Sequence, residues 1–172
     1  MAASGALEAL ALSRLVLVPA WRQPLKAGVA ITAAEHRLAM TRLLAKADPR
    51  LSVDAVEIER GGLSYSVDTV REYRQRHPET ELYLLMGADT AATLPQWREP
   101  EALAAMVRVV VLARGTDDRP LPAGFRALRL ATRRVDLSAT EIRERVRAGL
   151  PIRGFVTDAV LDHKKPIDYP TL

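Results

Sequence analysis

Cysteine is absent from the 172 residues of the chain, and so is any long apolar run. The lack of cysteine excludes disulfide bonds, zinc sites built on thiolates and catalysis by a thiol, and it is compatible with a cytoplasmic location. No apolar run approaches the roughly 20 residues of a transmembrane helix, so we expect no membrane partner. The early stretch ALEALALSRLVLVPA contains Glu8 and Arg14, and no basic region precedes it. We therefore do not interpret it as a signal peptide.

A strong charge of one sign is also lacking. Lys and Arg number 25 against 21 Asp and Glu, which gives a net charge of +4. The sequence has no long basic run and no aromatic-rich strands of the kind that bind RNA, so we expect no nucleic-acid partner. A small anionic ligand fits the modest positive excess better. The hydrophobic content of 48% and the charged content of 27% are ordinary for a globular domain with one core.

Short apolar strands alternate with helices along the chain. The predicted helices cover 3–12, 33–47, 66–77, 100–106 and 138–148, with helical turns after Asp89. The predicted strands cover 15–18, 51–59, 81–86, 108–113 and 125–131. This order indicates an α/β fold with a mostly parallel sheet and helices on both faces. The runs LVLV, LYLLM and VVVL do not alternate in polarity, which is typical of strands buried on both faces.

Polar segments follow these strands where a ligand is expected. In a parallel α/β sheet the ligand lies beyond the carboxyl ends of the strands. The segments found there are PAWRQPLK, GAD, AR and VDLSAT. Since parallel strands end at one edge, this position predicts a binding site for a nucleotide or another anion.

The stretch DLSATEIRERV, residues 136–146, supports two interpretations. Ser138 and Glu141 form a capping-box pattern, and Ile142, Val146 and Leu150 recur on one apolar face. The same helix start can also bind a phosphate, because its free N–H groups and its dipole attract anions. The convergence of polar segments at one sheet edge favours the phosphate site.

Six motifs in a specific order show a resemblance to a known family. The chain resembles the bacterial nicotinate-nucleotide adenylyltransferases in EHRLAM (35–40), SVDAVEIERGGLSYSVDT (52–69), LYLLMGAD (82–89), LPQWREPE (94–101), VVVLAR (109–114) and LSATEIRERV (137–146). The resemblance implies a Rossmann-like nucleotidyltransferase fold in the cytoplasm. It also implies a role in NAD biosynthesis, in which AMP passes from ATP to nicotinate mononucleotide with Mg²⁺, giving nicotinate adenine dinucleotide and pyrophosphate. The acceptor phosphate attacks the α-phosphorus directly, so catalysis is positioning and charge stabilisation.

The resemblance assigns the ATP site to five residues. LSATEIR matches a Ser-x-Thr-x-x-Arg signature, so Ser138 and Thr140 would donate hydroxyls and Arg143 would bind phosphate oxygens with its guanidinium. Gly87 and Asp89 match positions that contact the nucleotide. From the residues alone, Gly87 could equally form a tight turn and Asp89 a helix cap.

The resemblance assigns the nicotinate mononucleotide site to four residues. Trp97 matches the aromatic residue that stacks on the nicotinate ring, and Ser66 matches the helix start that holds the nicotinate carboxylate. Arg114 and Lys26 are weaker matches to phosphate contacts. The alternatives are a packing role for Trp97, a plain N-cap for Ser66 and solvated charges for Arg114 and Lys26.

The chain departs from the family pattern at its beginning and in one loop. The family starts with a strand, a Gly-Gly-x-Phe-Asp-Pro turn and a His-x-Gly-His motif, whereas this sequence begins inside the following helix. His36, His77 and His163 lie in no such motif, and Leu25 stands where the family has histidine. We therefore assign no catalytic residue and no metal ligand, and we expect the first strand to be absent.

These departures leave the organisation and the function open in part. We expect one nucleotidyltransferase domain over 1–162, incomplete at its N-terminus, and a loose tail over 163–172, where two prolines would break a helix. A sister enzyme acting on nicotinamide mononucleotide or pantetheine phosphate, or a non-catalytic nucleotide-binding remnant, are the alternatives. Trp97 and SYSVDT favour the nicotinate acceptor. A homo-oligomer is left open.

Overall fold

Helices and strands alternate along the chain as the sequence predicts. The computed structural model describes residues 2–26, 32–114, 119–132 and 138–164. The elements in chain order are α1 (Ala2–Ala9), β1 (Leu15–Leu17), a 3₁₀ turn (Pro24–Lys26), α2 (Ala34–Ala45), β2 (Leu51–Val53), α3 (Val56–Arg60), α4 (Ser66–Arg76), β3 (Tyr83–Gly87), α5 (Ala88–Ala91), a second 3₁₀ turn (Leu94–Gln96), α6 (Pro100–Met106), β4 (Arg108–Arg114), β5 (Ala127–Thr132), α7 (Ala139–Arg147) and α8 (Asp158–Lys164).

Every strand pair in the described part of the chain is parallel, which confirms the predicted α/β class. One pair joins β1 to β2, with Leu15 opposite Leu51. The other sheet has the order β3-β4-β5. The central strand β4 carries Val109 and Val110, both fully buried, and Val109 faces Leu84 on one side. This burial explains why VVVL shows no polar alternation.

Two compact units of the chain each carry a parallel ladder. The first comprises Met1–Leu12, Arg22–Pro24 and Gly62–Arg134 and contains the β3-β4-β5 sheet with α1, α4, α5 and α6. The second comprises Ser13–Trp21, Leu25–Gly61 and Val135–Leu172 and contains β1, β2, α2, α3, α7 and α8.

The core of the first unit lies between β3, β4 and the helices that pack on them. Its buried side chains are Val67, Val70, Met86, Ala91, Leu94, Leu103, Val107, Val109 and Val111. Trp97 packs against this cluster while remaining partly exposed. The core therefore supports one side of Trp97, which is a predicted site residue.

The predicted strand 51–59 is wrong over most of its length. The strand β2 ends at Val53, and Val56–Arg60 is the helix α3. The Asp54 carboxylate accepts a hydrogen bond from the Val56 N–H at 3.0 Å, which turns the chain and starts the helix. A period-2 pattern of apolar residues did not reveal this local side-chain contact.

Other element boundaries shift by a few residues. The helix predicted over 3–12 ends at Ala9, and Ala11 adopts a left-handed φ of 48°. The predicted apolar face of α7 is shorter than expected, because Leu150 lies beyond the helix end and is 49% exposed. The helix α8 reaches Lys164, and the remainder of the expected tail, 165–172, lies outside the described residues.

None of the described helices combines the length and the apolar character needed to cross a membrane.

Candidate active site

Gly87 ends β3 and begins the turn into α5. Its backbone is extended, with φ −73° and ψ 159°, so the conformation does not require glycine. A Cβ atom added to Gly87 would meet no atom of the described residues within 4 Å. A tight turn at Gly87 therefore does not require glycine. Neither the backbone conformation nor contacts with the described residues explain why this position has no side chain.

Asp89 lies in the first turn of α5, on the same edge as Gly87. Its side chain is almost fully exposed and forms an ion pair with Arg119. The carbonyl of Arg119 in turn accepts a hydrogen bond from Arg129 on β5. The segment before β5 thus places a guanidinium beside the end of β3, a contact that the sequence motifs do not indicate.

Trp97 is held in one orientation by its own chain segment. Its Nε1–H donates to Thr93 Oγ1 at 2.9 Å, and the Thr93 hydroxyl donates to the Thr90 carbonyl at 2.8 Å. The indole is half-buried and packs against the core of the first unit. The packing and stacking interpretations are compatible, because the core covers only part of the ring.

Ser66 is the first residue of α4 and not its N-cap. The N-cap is Tyr65, whose side chain makes no capping hydrogen bond. The Tyr65 carbonyl accepts a hydrogen bond from the Asp68 N–H at 3.1 Å. The first N–H groups of a helix generally have no carbonyl partner within the helix, because no earlier turn supplies one. The plain N-cap alternative for Ser66 is therefore wrong in detail, because Tyr65 occupies the N-cap position.

The segments that carry Ser66 and Trp97 lie against each other. The Arg98 guanidinium lies 4.7 Å above the centre of the Tyr65 ring. Arg98 Nη1 is also 3.6 Å from Asp68 Oδ2. The neighbour of Trp97 therefore contacts residues on both sides of Ser66.

Ser138, Thr140 and Arg143 lie together on the exposed beginning of α7. Ser138 is the N-cap, and its Oγ accepts from the Glu141 N–H at 3.0 Å. The predicted cap is thus present. A hydroxyl that accepts such a bond retains its own hydrogen for donation, so the same Ser138 can serve a phosphate.

The remaining predicted phosphate contacts lie at element ends. Arg114 is the last residue of β4 and pairs in register with Thr132. Lys26 is the last residue of the first 3₁₀ turn.

Arg37, within the EHRLAM motif, has a structural role that the motif alone did not reveal. Its guanidinium donates to the carbonyls of Thr32 and Trp21, both at 2.9 Å, and also to that of Ala20. Burial lowers the pKa of Arg37, although Glu35 counteracts this effect. One side chain thus holds two chain segments that lie 11 or more positions apart. The signal available in the sequence was the presence of an arginine within the EHRLAM motif.

The described residues contain no group of three or more His, Asp or Glu side chains that could hold a metal ion.

The parallel strands and the helices between them form a Rossmann-like α/β fold, which is the fold of the nucleotidyltransferases. A family model described as cytidylyltransferase-like matches residues 2–145. The chain is 49% identical over 168 residues to a probable nicotinate-nucleotide adenylyltransferase of Gemmatimonas aurantiaca, covering 93% of this chain and 79% of that protein. The chain belongs to the nicotinate-nucleotide adenylyltransferase family.

Further comparisons agree with this family. A protein of the same name from Thermus thermophilus is 40% identical over 163 residues, covering 93% of this chain and 84% of that protein. The solved Plasmodium falciparum nicotinic acid mononucleotide adenylyltransferase complexed with NaAD superimposes with a TM-score of 0.75. It shares 14% sequence identity and covers 95% of this chain and 87% of that chain, so this likeness shows the fold.

Proposed function

We propose that this protein transfers AMP from ATP to nicotinate mononucleotide, with nicotinate adenine dinucleotide and pyrophosphate as products. The observation that carries the choice of acceptor is the contact of Arg98 with Tyr65 and Asp68. This contact brings the Trp97 segment to the start of α4. An aromatic ring beside a helix start suits a flat cation that bears a carboxylate, which is the chemistry of the nicotinate group.

Trp97 and Ser66 have complementary roles in this proposal. The Trp97 indole stacks on the pyridinium ring, where cation–π attraction adds to the burial of the ring. The first-turn N–H groups at Ser66 bind the carboxylate, which the helix dipole also favours. A nicotinamide amide carries no charge and gains less from this helix start. Lys26 and Arg114 are proposed as contacts of the acceptor phosphate.

The ATP side of the reaction uses charge and hydroxyl donors. We infer that Ser138 and Thr140 donate to phosphate oxygens and that Arg143 binds two of them with its guanidinium. Gly87 lets the nucleotide approach the backbone, and Asp89 contacts the nucleotide nearby. Mg²⁺ is expected to enter as part of the MgATP substrate, because phosphate oxygens are ligands that it prefers.

The reaction needs no nucleophile from the protein in this proposal. An oxygen of the acceptor phosphate attacks the α-phosphorus of ATP, the bond from that phosphorus to the bridging oxygen breaks, and pyrophosphate leaves. The protein residues position the two substrates and offset the charge of the phosphates.

The test is pyrophosphate release from ATP with each of three acceptors: nicotinate mononucleotide, nicotinamide mononucleotide and pantetheine phosphate. We expect the highest kcat/KM with nicotinate mononucleotide. Release that is highest with another acceptor would replace the proposal by a sister transferase. Nucleotide binding without release from any acceptor would favour a non-catalytic protein.

The Trp97→Ala variant tests the acceptor site itself. Loss of stacking on the order of 1–2 kcal/mol should raise the KM for nicotinate mononucleotide roughly tenfold, with a smaller effect on the KM for ATP. Trp97→Phe is the matched control, since it keeps an aromatic ring that can stack and should raise the acceptor KM less than Trp97→Ala. An unchanged acceptor KM in Trp97→Ala would remove this residue from the site.

A further inference from the structure

Four charged side chains form a network between α4 and the segment before α6; we call Asp68, Arg71, Arg98 and Glu99 the brace. Arg71 Nη1 lies 3.4 Å from Asp68 Oδ1 and 3.3 Å from Glu99 Oε1, and Arg71 also forms an ion pair with Glu99 Oε2. Arg98 Nη1 lies 3.6 Å from Asp68 Oδ2, and its Nε lies 3.5 Å from Glu99 Oε1. Each carboxylate therefore contacts both guanidinium groups.

The brace flanks both halves of the proposed acceptor site. Asp68 and Arg71 lie in the first two turns of α4, which begins at Ser66. Arg98 and Glu99 directly follow Trp97. The ion pairs consequently join two segments that are distant in sequence, as the separation of 28 between Arg71 and Glu99 shows.

The backbone conformation of Glu99 is unusual for a residue with a side chain. Glu99 adopts a left-handed conformation with φ 50° and ψ 58°, which side-chain-bearing residues rarely adopt. Its carbonyl accepts from the Leu103 N–H at 3.0 Å and starts α6. A strained residue persists when its surroundings fix it, and here two arginines bind its carboxylate. Binding to Arg71 lowers the pKa of Glu99 and raises the pKa of Arg71.

We propose that the brace positions the Trp97 indole against the start of α4 and thereby sets the affinity for the acceptor. This inference rests on the proposed function. Single exposed ion pairs contribute little, but four shared charges with the Arg98–Tyr65 contact restrict both segments to one arrangement. The four residues are positioning residues, since no role in contacting the reacting atoms is assigned to them. A small displacement of a stacking group is sufficient to weaken binding.

The first experiment compares Glu99→Gln and Arg71→Met with a matched control on the same helix. The control is Glu72→Gln, which breaks the ion pair of Glu72 with Arg76 on α4. We expect the acceptor KM to rise about three- to tenfold in the brace variants, while the ATP KM stays within about twofold. The control should leave both KM values unchanged. Equal changes in both KM values, or the same change in the control, would overturn the proposal.

A second variant separates the ion pairs from the backbone conformation. Glu99→Gly permits the left-handed φ without strain but removes the carboxylate. We expect its acceptor KM to rise as in Glu99→Gln. An acceptor KM like that of the unchanged protein would show that only the backbone conformation matters, and the brace would be rejected.

A fluorescence measurement tests the positioning without turnover. In a Trp21→Phe background, Trp97 is the remaining tryptophan of the two in the chain. We expect acrylamide to quench Trp97 fluorescence more strongly after Glu99→Gln or Arg71→Met than in the Trp21→Phe protein itself. The Glu72→Gln control should be quenched to the same extent as the Trp21→Phe protein. Unchanged quenching in both brace variants would overturn the inference. A protein that never turns over nicotinate mononucleotide would refute the proposed function, and the quenching result would still decide whether the brace positions Trp97.

Discussion

At the scale of single residues, the Gly87→Ala variant distinguishes a glycine that the fold requires from a glycine that a ligand requires. Its φ of −73° suits alanine, and within the part of the chain that the structure describes no atom lies within 4 Å of the Cβ position. Gly87→Ala should therefore fold normally, with a free energy of unfolding unchanged or higher by up to about 1 kcal/mol. If ATP approaches this backbone, the methyl group should raise the ATP KM about tenfold. Chemical denaturation and initial rates measure the two effects.

Gly5→Ala is the control for that variant. Gly5 lies within α1, and its Cβ position likewise has no atom of a described residue within 4 Å. It should gain helix stability without any change in KM. An ATP KM that Gly87→Ala leaves unchanged would mean that the nucleotide does not approach Gly87.

Asp48 provides a residue-scale prediction about pH. Its carboxylate accepts hydrogen bonds from Arg50, through the backbone N–H at 2.9 Å, Nε at 3.1 Å and Nη2 at 2.8 Å. These bonds lower the pKa of Asp48 from 3.8 to about 2. Because the folded pKa is the lower one, Asp48 stabilises the fold above pH 3.8, and this contribution disappears as the pH falls toward 2.

Asp48→Asn should therefore weaken the dependence of unfolding free energy on pH in that acid range. Urea unfolding of both proteins at several pH values between about 2 and 6 measures the difference. Identical slopes in the two proteins would contradict the assignment.

At the scale of elements, α7 combines a helix cap with a proposed phosphate contact. Ser138→Asn and Ser138→Asp both retain an oxygen that can accept from the Glu141 N–H, whereas Ser138→Ala loses it and should cost about 1 kcal/mol of stability. Only Ser138→Asp adds a negative charge at the helix start. We expect Ser138→Asp to fold like the unchanged protein and to raise the ATP KM well above that of Ser138→Asn.

Thermal melts and ATP titrations of these three variants distinguish the two roles. Equal ATP affinity in Ser138→Asp and Ser138→Asn would leave Ser138 with a capping role alone.

Local sequence patterns predicted elements well where burial repeats regularly. The runs LYLLM and VVVL became β3 and β4. Val109, Val110 and Val111 of β4 are buried, and a strand buried on both faces needs apolar residues at every position, whereas β3 is mostly half-buried. The same approach failed at 51–59, where the single contact of Asp54 with the Val56 N–H starts a helix within an alternating pattern. A side-chain hydrogen bond of this kind leaves no period in the sequence.

At the scale of the whole molecule, the core of the first unit gives a prediction about stability. Leu103 on α6 is fully buried in the same cluster as Leu94 and Val109. Leu103→Ala should lower the free energy of unfolding by about 2–5 kcal/mol, through lost burial and the cavity left behind. Leu103→Met, which conserves volume, should cost less than about 1.5 kcal/mol.

Urea denaturation measures both core variants. A loss below about 1 kcal/mol for Leu103→Ala would show that α6 packs less tightly than its burial indicates.

The sequence by itself determined the α/β class, the parallel strands, the cap at Ser138 and the family, because these depend on local periodicity and on residues in fixed order. It also singled out Trp97 and Ser66, although their roles stay predictions. Only the tertiary structure decided that Arg98 lies over Tyr65, that Arg119 pairs with Asp89, and that Arg37 holds the carbonyls of Thr32 and Trp21. These contacts join segments that parallel strands and their crossovers bring together from distant positions. No local pattern encodes such a contact, because it depends on where the rest of the chain packs.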